Sequence, residues 1–392
     1  MFIKNKNSIA FVFAAIFVIF GMCGGYLGEI SQCFKNVVYG VVVEHRIGSI
    51  YDFRDSIDSL SGKKIFYHDE LMDINSMKEN LLGTRVVIKN ETVVKNDNEN
   101  LIGGIKDEYS RKKITDNIEY INSIKKCAEN KGIPFLYCIR PDKVCYGGIP
   151  NNVVQFNIRY YKETIEELKK NNIPYLDYMD VLEKKKYTED DIFFCTDHHW
   201  KPEIGFSATR ILCDELQNRY GFDKYEDMLN IDNYKVRNYE DFFLGSYGKQ
   251  VGSFFTSKGL DDIKLIIPKF DTNLTEQHNT ESRTGRFEET VLNMEYMQKN
   301  IYEVSPYCTY SGGDFRLQIV KNHLNSNGKK ILLIRDSFAC VITPFLALQT
   351  GELHMIDDRE GDYPSKDKID VYQYIEENEF DYVIMIKGTN YD

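Results

Sequence analysis

The chain has 392 residues, 28% of them charged, and a formal net charge of −11, long enough for two units of ordinary domain size or one enlarged domain. The acidic balance argues against a nucleic-acid or anionic-lipid partner, because a phosphate-binding surface needs a basic excess or at least a basic block. The short run Lys184-Lys185-Lys186 sits among acidic residues and reads as a solvated helix face, and nine cysteines with no Cys-x-x-Cys spacing give no support to a disulfide scaffold or a zinc ribbon.

Lys4 and Lys6 precede residues 9–27, which carry no charge and approach the roughly 20 residues of a membrane-crossing helix. The length of this run and the lack of an Ala-x-Ala site favour a retained anchor over a cleaved signal. The basic flank places everything after about residue 28 outside the cytoplasm. The expectation is therefore a single-pass cell-membrane protein with a cytoplasmic tail and transmembrane anchor over 1–28. A membrane-proximal stalk and hairpin segment comes next, over 29–106, where Arg85-Val86-Val87-Ile88-Lys89 and Glu91-Thr92-Val93-Val94-Lys95 are two β-rich runs split by Asn90.

From residue 107 a helical period, with Ile114, Ile118, Ile121, Ile124 and Cys127 on one face, runs to 130 and is stopped by Gly132. A strand over 133–139 ends in the charged stretch Arg140-Pro141-Asp142-Lys143. Helix 160–171, strand 173–176, helix 179–186 and strand 192–194 come after it, and Pro202 opens a helix to about 220. Residues 221–312, acidic, aromatic and rich in turns with a strand candidate at 263–267, read as a large insertion. The alternation resumes with strand 330–334, helix 339–349, strand 353–356, helix 366–378 and strand 382–386. Such alternation predicts an α/β domain with a parallel sheet over 107–392, and in such sheets sites gather at the carboxyl ends of the strands. Arg140 and Lys143 stand at one such end and are assigned to substrate binding.

The densest chemistry is Cys195-Thr196-Asp197-His198-His199-Trp200, which puts a carboxylate, two imidazoles and the only tryptophan within six residues. An Asp two residues before a His can orient that imidazole so that its far nitrogen accepts a proton from a serine; His198 would then point the other way. Ser337 follows a buried apolar strand and opens a helix, which exposes its hydroxyl at the sheet edge beside helix-start N–H groups able to hold an oxyanion. Asp336-Ser337 before a helix is also an ordinary capping arrangement. Asp197, His198 and His199, completed by His354, Asp357 or Asp358, are alternatively a set of metal ligands, since imidazole and carboxylate suit zinc. The glycine-bearing turns Gly245-Ser246-Tyr247-Gly248 and Gly312-Gly313-Asp314 fit neither a dinucleotide fingerprint nor a phosphate loop, and neither a cofactor nor a metal is expected in the preferred reading.

At these residues a resemblance enters. Thr196-Asp197-His198-His199-Trp200-Lys201-Pro202-Glu203 resembles the signature of the DHHW proteins, relatives of the alginate O-acetyltransferases with an SGNH-hydrolase-like domain. Arg335-Asp336-Ser337-Phe338-Ala339, Pro344-Phe345-Leu346 and Ile356-Asp357-Asp358-Arg359 resemble the serine block of that family, and Phe243-Leu244-Gly245-Ser246 and Tyr310-Ser311-Gly312-Gly313-Asp314 match weaker turns. The resemblance covers roughly 107–392. It implies an SGNH-like three-layer α/β/α fold with nucleophile Ser337, base His199 and orienting Asp197, the Asp-x-His pair preceding the serine. Arg335 stands where ordinary SGNH enzymes have the glycine of Gly-Asp-Ser. The oxyanion-hole Asn and Gly of the superfamily have no clear counterpart; Asn390 and Gly313, with Asp314 beside it, are assigned to substrate binding in their stead. The implied function is an extracytoplasmic O-acetyltransferase or acetylesterase. Its expected partners are a cell-surface polysaccharide acceptor, an acyl donor handed over by a membrane acyltransferase, and the membrane itself through the N-terminal helix. The alternatives are a non-catalytic polysaccharide-binding or assembly subunit that retains the fold, and a metal-dependent deacetylase.

Overall fold

The computed structural model describes residues 68–89, 91–359 and 369–389. The expected anchor over 1–28, the stalk up to residue 67 and Asn390 lie outside the described residues, among which no helix is long and apolar enough to cross a membrane. The chain divides into Met1–Asn75 and Ser76–Asp392. Of the first unit only 68–75 are described, as the opening turns of helix α1 (His68–Leu81); all other described elements belong to the second unit.

A small antiparallel sheet comes first, with strands β1 (Val86–Ile88), β2 (Thr92–Lys95) and β3 (Leu101–Ile102). Helix α2 (Arg111–Asn130) is started by the Ser110 hydroxyl accepting from the Lys113 N–H, which satisfies one of the unpaired donors of a helix start. Next come β4 (Phe135–Ile139), α3 (Asn157–Lys170), β5 (Tyr175–Asp177), α4 (Tyr178–Lys184) and α5 (Pro202–Tyr220). The stretch read as an insertion supplies β6 (Tyr234–Phe243), α6 (Ser246–Val251), β7 (Asp261–Pro268), β8 (Leu274–His278) and β9 (Glu281–Gly285). The chain continues through β10 (Leu317–Asn322), β11 (Lys330–Arg335), α7 (Thr343–Gln349), β12 (Glu352–Asp357), α8 (Val371–Glu377) and β13 (Tyr382–Lys387).

The main sheet has eight strands in the order β5-β4-β13-β11-β12-β10-β8-β9. Its first five strands are parallel, while β10, β8 and β9 run antiparallel to their neighbours. The expected parallel sheet is thus corrected to a mixed one. The reason is local: β8 and β9 are joined through only Asn279 and Thr280, a connection that suits an antiparallel hairpin and cannot make a parallel crossover, and Asn279 takes the positive φ of 49° that such a turn asks for. Strands β6 and β7 form a separate antiparallel pair.

Burial on both faces follows from period-2 alternation within unbroken apolar runs. Ile331, Leu333, Ile384 and Ile386 pack with Leu212 and Leu216 of α5 and Phe345 of α7. Leu332, Ile334, Val383 and Met385 pack on the opposite face with Ile114, Ile118 and Ile121 of α2, Leu168 of α3 and Ile375 of α8. The result is the expected three-layer α/β/α arrangement. Truncating a side chain such as Leu333, which is fully buried, would cost about 2–5 kcal/mol.

Two expected elements take another form. Residues 192–194 are not a strand of the sheet: Glu189–Ile192 is a helical turn, and Phe193 bridges antiparallel to Trp200, so that 193–200 folds back on itself as a closed loop. The helix placed at 339–349 is a 3₁₀ turn over Ser337–Val341 followed by α7. Pro344, which lacks an N–H, sits at the start of α7, where that lack costs nothing.

Candidate active site

Strands β4, β13 and β11 are neighbours, and their carboxyl ends deliver Arg140, Gly388 and Asp336-Ser337 to one edge of the sheet. The loop 193–200 lies against that edge. His199 Nδ1 is 2.6 Å from Asp197 Oδ1, and His199 Nε2 is 2.8 Å from Ser337 Oγ. An ionised carboxylate can only accept, so Nδ1 carries the proton and Nε2 is left to accept from the serine hydroxyl. Asp197 also accepts the His199 backbone N–H at 2.9 Å and, on its other oxygen, the Ser246 N–H at 2.6 Å. Burial alone would raise the Asp197 pKa, but the two imidazoles beside it and these donated hydrogen bonds hold it well below the usual carboxylate range.

Four parts of the fold immobilise the loop. Lys143 donates from Nζ to the carbonyls of Phe194, Cys195 and Asp197 at 2.6, 2.9 and 2.9 Å. Asp261, opening β7, accepts from the N–H groups of Cys195 and Thr196 at 2.5 and 2.8 Å and from the Thr196 hydroxyl at 2.5 Å. Leu101 of β3 donates to the Cys195 carbonyl, and Gly248 of α6 to that of Thr196. A cation grips the carbonyls and a carboxylate grips the amides, which leaves the loop with little freedom. Lys143 is therefore corrected from a substrate ligand to a buried clamp: it is only 3% exposed and its ammonium is already occupied.

Gly245 explains the turn before α6. A Cβ at this position would sit 2.2 Å from the Cβ of Asp197 and 2.6 Å from the Thr196 carbonyl oxygen, so only glycine allows the start of α6 to reach the Asp197 carboxylate. Gly245→Ala should destabilise the fold by about 1–3 kcal/mol through overpacking and lower ester turnover further by displacing Asp197. Urea midpoints and turnover of p-nitrophenyl acetate check this; an alanine variant with both unchanged would contradict the close approach.

On the serine side, Asp336 is the cap, its carboxylate accepting the Phe338 N–H at 3.0 Å. The capping reading thus holds for Asp336, while Ser337 faces His199. Phe338 and Ala339 spend their N–H groups on Asp336, leaving the Ser337 N–H at the open first position of the turn as the donor best placed for an oxyanion. Arg140 Nε binds Asp336 at 2.7 Å and its guanidinium lies 3.9 Å over the Phe338 ring; these two residues flank the serine in sequence. Gly313 and Asp314 lie at the root of the turn: fully buried Arg335 pairs with the Asp314 carboxylate and reaches the Gly313 carbonyl at 3.4 Å, and Arg359 joins Asp314 at 2.9 Å. They hold the strand end that ordinary SGNH enzymes fill with glycine.

Tyr307 escaped the sequence reading, since nothing marks it among 27 tyrosines. Its ring stacks on His199 with centroids 4.1 Å apart, and its hydroxyl donates to the carbonyls of Ser337 and Phe338 at 3.2 and 3.1 Å. Trp200 Nε1 donates to the same Phe338 carbonyl at 2.8 Å. Both act as positioning residues that join the imidazole side to the serine side. Asp261 was missed for the same reason, and Ser246, though it closes the turn Phe243-Leu244-Gly245-Ser246, gave no sign of its bond to Asp197, because both roles depend on long-range contacts.

His198 does not point away from His199. The two rings pack with centroids 3.8 Å apart, because the loop is not extended and strand alternation does not apply. Ligand atoms of Asp197, His198 and His199 lie within 4.8 Å of one another, but the fold does not bring up the residues expected to complete a metal set. His354 binds the Tyr374 hydroxyl and Glu352 with its two nitrogens, Asp357 pairs with Arg359, and Asp358 accepts from Tyr120 and pairs with Lys387. Both nitrogens of His199 are also engaged, one of them by the serine.

Comparison with known proteins bears on this geometry. Residues 104–230 match the family model of the SGNH hydrolase-like domain of acetyltransferase AlgX. The matched stretch contains Asp197, His198 and His199; Ser337 lies beyond it. Bacillus cereus PatB1, in a structure with a sulfonyl adduct, superposes with a TM-score of 0.62 at 18% identity, covering 77% of this chain and 96% of that one. A DHHW family protein from Eubacterium siraeum superposes with a TM-score of 0.54 at 19% identity, covering 78% and 94%. At these identities the likeness establishes the fold. No curated protein matches the chain. The resemblance to the DHHW and alginate O-acetyltransferase group holds: residues 104–230 are similar to an SGNH hydrolase-like acetyltransferase domain, and the fold is shared with the DHHW family protein.

Proposed function

We propose that the chain is an O-acetyltransferase or acetylesterase that works outside the cytoplasm on a cell-surface polysaccharide. The observation that carries this reading is the hydrogen-bonded run from Asp197 through His199 to Ser337 Oγ. In the first step His199 Nε2 takes the Ser337 proton while Oγ attacks the donor's acyl carbon. The Ser337 N–H steadies the tetrahedral oxyanion, and the donor leaving group departs with the proton from His199. In the second step an acceptor hydroxyl, or water, gives its proton to His199 and attacks the acyl-serine, and Ser337 Oγ leaves and recovers that proton. The Asp197 carboxylate stabilises the imidazolium at both stages.

A sulfonyl fluoride tests the nucleophile directly, and the sulfonyl adduct of PatB1 makes it the natural probe. Phenylmethylsulfonyl fluoride should modify Ser337, seen by peptide mass spectrometry, and should fail to do so in His199→Ala. Modification elsewhere, with Ser337 untouched and activity lost, would overturn the assignment.

The uncharged run 9–27 behind Lys4 and Lys6 supports an N-terminal anchor with the catalytic domain outside. Alkaline phosphatase fused after Asp392 is expected to be active on intact cells; activity only for a cytoplasmic reporter fused at that site would contradict this orientation.

A further inference from the structure

His198 has no part in the two steps above, yet its side chain is far more open than those of His199 and Asp197. About a third of its side chain is exposed, against 12% for His199 and 3% for Asp197. Its Nδ1 lies 3.0 Å from the Ser246 hydroxyl and 3.5 Å from the Asp197 carboxylate. The carboxylate on that side favours the proton on Nδ1, with the Ser246 hydroxyl able to accept it, and this tautomer leaves a lone pair on Nε2 at the other side of the ring. Among the described residues none donates to that nitrogen. Burial first, with the neighbouring His199 and Arg140, lowers the His198 pKa against the opposing pull of the Asp197 and Asp336 carboxylates, so the ring is a neutral hydrogen-bond acceptor near neutral pH. Ser246 also gives its backbone N–H to Asp197. One residue therefore sets the orientation of both imidazoles.

The packing of the two rings, centroids 3.8 Å apart and planes 36° from parallel, puts two imidazoles side by side at the mouth of one site. One takes the proton of the attacking hydroxyl. The other offers a second acceptor nitrogen on the neighbouring ring.

We propose that His198 is the acceptor-side specificity residue: its Nε2 accepts a hydrogen bond from a second hydroxyl next to the one that attacks, so that the site selects a vicinal diol of a carbohydrate over water and over isolated alcohols. This rests on the acyl-serine reading above. The bond changes are those of the second step: the acyl–Oγ bond breaks, the acyl–O(acceptor) bond forms, and the acceptor proton passes through His199 to Ser337. His198 forms no covalent bond and holds the neighbouring O–H throughout.

The test uses p-nitrophenyl acetate as donor and compares ethylene glycol with 2-methoxyethanol as acceptors, since the second keeps the attacking hydroxyl and loses the adjacent O–H. The p-nitrophenolate burst reports acylation, and the ratio of ester product to acetate reports partition. Wild type should favour ethylene glycol about tenfold, after allowance for its two equivalent hydroxyls, as one hydrogen bond warrants. His198→Ala should abolish the preference while slowing the burst by much less than the partition changes, and His198→Gln, which keeps an acceptor oxygen, should recover part of it. Equal partition to the two alcohols in wild type overturns the proposal even if no variant folds. A burst slowed in His198→Ala as much as the partition changes also overturns it, because His198 would then act through His199. No burst in wild type sinks the acyl-serine reading itself, which separates the two failures.

Discussion

Ser337→Ala is expected to lower turnover of an acetyl ester by on the order of 10⁴-fold or more, because nucleophile, base and orienting carboxylate act as one unit and removing the nucleophile removes the covalent route. The fold should survive. The lost hydroxyl makes one hydrogen bond, to His199 at 2.8 Å, worth about 1 kcal/mol. The turn that carries it is held independently by the Asp336 cap, by Tyr307 and Trp200 on the Phe338 carbonyl, and by Arg335 on Asp314. A chelator should leave the wild-type rate unchanged, since His199 Nε2 faces a serine. The comparison needs wild type, the alanine variant and chelator-treated wild type under one assay, with melting curves alongside. An alanine variant at the wild-type rate sinks the serine mechanism; chelator inhibition reversed by zinc puts the metal reading in its place.

Asp197→Asn should cost about 10⁴-fold in turnover, and it should also cost stability. The carboxylate accepts three hydrogen bonds: from the His199 ring, from the His199 N–H and, on its second oxygen, from the Ser246 N–H at 2.6 Å. An amide has one accepting oxygen, so its NH₂ must confront a donor on one side. Either His199 takes the wrong tautomer or the start of α6 moves. The sign of the pH dependence follows from the lowered pKa of Asp197. A carboxyl held below its unfolded value of about 4 contributes stability that is present above that value and is lost as pH falls through the folded one. Wild type should therefore lose stability on acidification more steeply than Asp197→Asn, measured by urea midpoints between pH 7 and pH 3. Parallel curves for the two proteins would show that Asp197 is not held as a carboxylate.

Much of the α/β core was legible because its signals are local. The four-residue spacing of Ile114 and Ile118, the stop at Gly132 and the apolar run Ile331 to Ile334 each report their own surroundings. The mixed sheet was not legible. Strands β8 and β9 are short, polar and outward-facing on one side, as in Glu281 to Gly285, and they carry no helix between them to announce a topology. Within the site, Asp197, His199 and Ser337 could be picked out because strand-end chemistry and a family signature coincide there. Lys143 was misassigned because a lysine after a strand looks the same in sequence whether it faces solvent or, as here, three carbonyls of a loop some fifty residues on. The tilt of His198 onto His199 was missed because alternation was assumed where the chain folds back on itself.

The central claim is that Ser337 carries the acyl group between donor and acceptor. Rapid quenching of the protein with p-nitrophenyl acetate, followed by peptide mass spectrometry, tests it most directly. An acetyl group on Ser337 that forms within the burst, decays at the steady-state rate, and is absent from His199→Ala is the predicted result. Steady-state turnover with Ser337 unmodified at every time point would contradict it.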